Sequence, residues 1–210
     1  IITEAQSSLS TGQRKDFLTS LDELKRAGFS VRELSMPEFP LFSLVHKIVG
    51  SVEASSSTGR YDSVRYGRRT PGGKNWNEMY ILSRGESFGT LLKSYLFQGA
   101  FFQFERYSAY EDACRIRAHL LKEMQRLTKQ VEVLVFPAND SVVSTTPTSI
   151  AEIYEQFDAT VFANVTGQPV LYVPIPDTAL SGFQLVGSRL SDSRLLAISE
   201  HLIKLQRGGK

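Results

Sequence analysis

The chain has 210 residues, 41% of them hydrophobic and 22% charged, with a formal net charge of +2. That composition is globular rather than disordered, and the charge is too mild to argue for nucleic acid by itself. A single cysteine, Cys114, excludes an internal disulfide framework, and no apolar run approaches the roughly 20 residues of a membrane span.

Residues 1–12 are mostly small and polar and read as a flexible lead-in. They lack the basic region and apolar core of a secretory signal, so secretion is not expected. The chain opens on Ile1 rather than Met, which reads as processing or truncation. Phe17, Leu18, Leu21 and Leu24 recur at helical spacing, and Gly28 stands where a helix end favours glycine. Residues 29–34 (FSVREL) alternate as a strand does, before Pro37 and Pro40 break the chain. Leu41, Leu44, Val45, Ile48, Val49 and Val52 share one helical face. Residues 59–75 carry Gly, Pro and Asn and read as a loop, followed by a short helix over residues 76–82. The apolar-aromatic segment 88–107 contains Leu91, Leu92, Tyr95, Leu96, Phe101, Phe102 and Phe104. It tolerates Gly99 at about 1 kcal/mol relative to Ala.

Residues 108–130 form the clearest helix, with Tyr110, Ala113, Cys114, Arg117, Leu120, Leu121, Met124 and Leu127 as its buried stripe. VEVLVFP (131–137) is apolar on both faces, as in a parallel sheet. Residues 141–148 read as a loop, and Ser149 as the cap of a helix over residues 150–157. Asn164, Gly167 and Pro169 mark a turn into a central strand over residues 170–174, which Pro174 and Pro176 stop; residues 182–187 give a second strand. Ser191 is expected to cap a last helix with Leu195, Ile198, Leu202 and Leu205 inward, and residues 207–210 to fray. This order predicts an α/β fold, with a sheet of about four strands covered by helices on both faces.

The residues alone point to no active site. His46, His119 and His201 lie far apart, and no His, Cys, Asp or Glu cluster has metal-ligand spacing. Cys114 sits on an apolar helical stripe and reads as a packed thiol. Ser55, Ser56 and Ser57 have no glycine-rich turn to supply oxyanion donors, and read as a solvated helix end. Arg60, Arg65, Arg68 and Arg69, interleaved with Tyr61 and Tyr66, suit either an RNA contact or a loop ion pair with Asp62; the ion pair is the plainer reading. The glycines at 72–73 lack the strand-to-helix context of a phosphate loop.

Four stretches together carry a family resemblance. VEASSSTGRYDSVRYGRR (52–69), ESFGTLLKSYLFQG (86–99), YEDACRIRAHL with VEVLVFPA, and NVTGQPVLYVP with GFQLVG resemble the C-terminal half of the amidase signature family, most of all its amidotransferase A-subunit type. The likeness runs from about Phe17 onward. It implies a partial amidase-signature α/β/α sandwich with a mixed sheet covered by helices on both faces, in which residues 13–206 form the C-terminal half. It also implies that the family's catalytic Lys and two Ser belong to an N-terminal Gly/Ser-rich segment that this sequence does not contain, and it calls for no cofactor. Three pocket positions are substituted. A tyrosine becomes His46, an arginine becomes Tyr95, and an aspartate becomes Phe157, with Asp158 one place off. Tyrosine cannot supply the bidentate grip that an arginine gives a carboxylate.

The expectation is a degenerate, non-catalytic protein of the amidotransferase A-subunit type, a structural or assembly component of a larger mitochondrial complex. Its partners would be other protein chains covering an open sheet edge, with RNA as a further partner through Arg60, Arg65, Arg68 and Arg69. The alternative is the C-terminal half of a working amidase, completed by further residues or another chain.

Overall fold

The computed structural model describes residues 1–7, 9–138, 149–174 and 182–208. In chain order its elements are α1 (Thr11–Arg26), α2 (Leu41–Ser57), α3 (Trp76–Ser87), α4 (Thr90–Phe104), α5 (Tyr107–Thr128), β1 (Leu134–Pro137), α6 (Ile150–Phe157), α7 (Val161–Thr166), β2 (Val170–Pro174), β3 (Gly182–Val186) and α8 (Asp192–Gly208). The chain divides into two compact units. The first comprises residues 1–43, 116–145 and 154–210, and the second residues 44–115 and 146–153.

The first unit is built on a three-stranded antiparallel sheet in the order β1-β3-β2. Side chains alternate across a strand, so Val135 and Phe136 face opposite sides. On one side, Val135, Val173, Phe183 and Leu185 pack with Phe17, Leu21 and Leu24 of α1 and with Leu195 and Leu202 of α8. On the other, Phe136 stacks on Phe162 of α7 with ring centroids 4.3 Å apart, and Phe39 and Phe42 join the cluster. Helices therefore cover both faces, as the α/β reading expects.

Local chemistry fixes the helix ends. Ser10 and Gln13 form a reciprocal capping box at the start of α1, with Ser10 N–H donating to Gln13 Oε1 at 2.9 Å. Gly28, with φ of 90°, ends that helix as its position in the sequence predicts. Ser149 caps α6 by accepting from the Glu152 N–H at 3.2 Å. Gln184, a polar residue at the centre of the sheet, is satisfied because its Nε2 donates to the carbonyls of Pro137 and Ala159.

Several expectations are corrected here. VEVLVFP predicted a parallel neighbour, yet Leu134–Pro137 pairs antiparallel with β3. Burial on two faces reports what covers a strand, not its direction. Among the described strands residues 170–174 form an edge rather than the centre, with alternating exposure, and β3 is central and buried throughout. Residues 29–34 give no ladder; Leu34 alone bridges Ile2 in parallel. The expected mixed sheet is thus antiparallel among the described strands, apart from that bridge. The turn at Asn164 is the short helix α7, which Gly167 ends in the left-handed region with φ of 69°.

The first residues are packed rather than loose. Ile1, Ile2 and Ala5 are buried, and the Glu4 carboxylate accepts from Ser35 Oγ at 2.6 Å and from the Met36 N–H at 2.8 Å. Ser191 stands just before α8, where its carbonyl accepts from the Leu195 N–H as the first helical bond and its hydroxyl donates to the Ser188 carbonyl. Leu205 is exposed rather than inward, and so is Leu44, while Phe42 takes the buried place at the start of α2. The loop expected over 141–148, the stop at Pro176 and the end of the fraying tail lie outside the described residues.

In the second unit, Asn75 caps α3 by accepting from the Glu78 N–H at 3.0 Å. That cap starts the helix where the sequence suggests, and it runs on to Ser87. The apolar-aromatic segment becomes α4, with Gly99 as its one fully buried residue. No helix among the described residues is long and apolar enough to cross a membrane.

Candidate functional site

Helices α2 and α4 meet closely in the second unit. The space above Gly99 is filled by the Ser51 carbonyl, and the space above Gly50 by the Tyr95 hydroxyl. Gln98 Nε2 donates to the Lys47 carbonyl at 2.9 Å, and Tyr95 Oη donates to the His46 carbonyl at 3.4 Å. The crossing brings together His46 and Tyr95, two positions that the resemblance assigns to a pocket. The Tyr95 phenol points at backbone and occupies the space over Gly50. An arginine here would offer a planar fork of donors to a carboxylate; this phenol has one proton, already directed at His46.

Phe157 and Asp158 belong to the first unit. Phe157 closes α6 with its carbonyl accepting from Thr160, and its ring is about half exposed. Asp158 accepts from Ser43 Oγ at 2.9 Å. The serine run ends α2 as a solvated helix end does, with Ser57 Oγ donating to the Ala54 carbonyl.

The loop after α2 is folded around Asp62. Its carboxylate accepts from the backbone N–H groups of Val64, Arg65 and Tyr66 and from Arg65 Nε at 2.9 Å. The Val64 N–H first, and the Arg65 guanidinium next, hold this carboxyl well below the usual carboxylate range. The plainer reading of Arg65 is therefore the observed one. Arg69 Nε donates to the Ser63 carbonyl, so two of the four arginines serve the loop itself. Further ties fasten the loop to α3. Tyr61 donates to Ser87 Oγ, the Thr70 N–H donates to Ser83 Oγ, Thr70 Oγ1 pairs with Glu86, and Arg84 donates to the Thr58 carbonyl.

Sequence reasoning missed two concave surfaces. An open groove of about 770 Å³ in the second unit is lined by Glu53, Arg60, Gln103, Tyr107 and Tyr110 among others. The Tyr107 and Tyr110 rings stand 5.7 Å apart, and burial first, then the hydrogen bond with Cys114, push the Tyr110 phenol up. The one-turn spacing of these tyrosines was the available signal. A second groove, about 790 Å³ in the first unit, follows residues 28–32 and 130–133 over an apolar floor that includes Leu24, Val135 and Leu202. No group of three or more His, Cys, Asp or Glu that could hold a metal occurs among the described residues.

Known proteins place these features in a family context. The family model described as Amidase matches residues 1–196. The A subunit of glutamyl-tRNA(Gln) amidotransferase from Ruthia magnifica subsp. Calyptogena magnifica is 30% identical over 211 aligned positions, covering 95% of this chain and 43% of the relative. Its namesake from Geobacillus kaustophilus is 28% identical, covering 90% of this chain and 40% of its own length. The chain thus spans about two fifths of the curated relatives it matches. Among solved structures, the protein of the same name from Thermotoga maritima superposes with a TM-score of 0.66 at 18% identity, covering 97% of this chain and 41% of that one. A crystal structure described only as an amidase gives 0.68 at 20% identity, covering 96% and 44%. At these identities the structural likenesses speak for the fold alone.

Proposed function

The chain belongs to the amidase family, and from that premise we propose that it is a non-catalytic component of a larger assembly, of the amidotransferase A-subunit type and with a mitochondrial location. One observation carries this reading. At the position where the family resemblance calls for a carboxylate-binding arginine, Tyr95 fills the space over Gly50 and turns its single proton to the His46 carbonyl. A zwitterionic substrate placed there would lose its carboxylate partner, and an unpaired buried charge costs several kcal/mol.

The test is calorimetric titration of the purified chain with glutamine, alongside an ammonia assay. No binding stronger than about 1 mM, equivalent to roughly 4 kcal/mol, and no ammonia are expected. Saturable binding below that limit, or ammonia release above the buffer blank, overturns the reading.

A second reading is favoured by the relatives' length. Because the chain spans about two fifths of them, it also suits the C-terminal part of an active amidase, the Lys-Ser-Ser machinery lying in further residues or another chain. The altered residue at position 95 would then select a more apolar amide than glutamine. RNA binding through Arg60, Arg65, Arg68 and Arg69 is the weakest reading, since Arg65 and Arg69 are engaged within the loop.

A further inference from the structure

We draw no further inference here: the strongest candidate, the open groove of the second unit lined by Glu53, Arg60, Tyr107 and Tyr110, carries nothing because nothing in the structure shows what fills it.

Discussion

Ser63 concentrates two unfavourable terms in one residue. Its φ of 63° lies in the left-handed region, where an L side chain costs about 1–2 kcal/mol. Its Oγ is buried with no hydrogen-bond partner among the described residues, and an unmet buried hydroxyl costs about 1–3 kcal/mol. The backbone nevertheless holds this shape. The Ser63 N–H donates to the Tyr66 carbonyl at 2.9 Å, and Asp62 gathers the next three N–H groups. Glycine would remove both penalties and give back roughly 0.5–1 kcal/mol through its looser unfolded chain. Ser63→Gly is therefore expected to stabilise the protein by about 1 kcal/mol, which for this size raises Tm by about 2–4 °C. A thermal melt followed by circular dichroism measures it; an unchanged or lower Tm would show that the Ser63 hydroxyl has a partner in solution.

The crossing of α2 with α4 depends on missing side chains. A Cβ on Gly99 would collide with the Ser51 carbonyl and its carbon, which are backbone and cannot swing aside. Gly85 in α3 has open space at the same atom. Helix propensity alone predicts that alanine helps at both sites by about 0.5–1 kcal/mol. Packing reverses the sign at one of them. Gly99→Ala should destabilise by about 1–3 kcal/mol as overpacking does, and Gly85→Ala should stabilise. Urea midpoints of the two variants decide the matter, and equal shifts of the same sign would show that the helices do not touch at Gly99.

These elements also mark what the sequence makes legible. Local signals work where the cause is local: the stripe of α5, Gly28 past α1, and Ser149 before α6 are all read correctly. Strand direction is not local, so VEVLVFP misleads, and residues 29–34 alternate without finding a ladder. Gly167 and Pro169 hide α7 because a helix this short leaves little periodicity beside such strong punctuation. The pairing of His46 with Tyr95 follows from family resemblance rather than from spacing. The ties that fasten the Asp62 loop to α3 join residues 13 to 26 positions apart, beyond any window of periodicity.

At the scale of the molecule, the sheet order β1-β3-β2 leaves β1 on an edge among the described strands. All four of its residues are buried within the chain itself, and residues 4–6 lie beside this strand. The groove of about 790 Å³ follows this margin, with half-buried Val31 and Val133 packed against the core on its two walls. Backbone groups of an edge that no further described strand pairs with, beside an apolar groove, are a template for pairing with another chain. The isolated protein should therefore associate as its concentration rises, which static light scattering detects. A lysine at the edge is the remedy that natural sheets use, so Val133→Lys should suppress that association. Val133 lies outside β1 but packs half-buried against the core, so the lysine should lower the melting temperature somewhat, and scattering is compared well below both melting temperatures. If the lysine variant scatters like the parent, this margin is not what draws copies together.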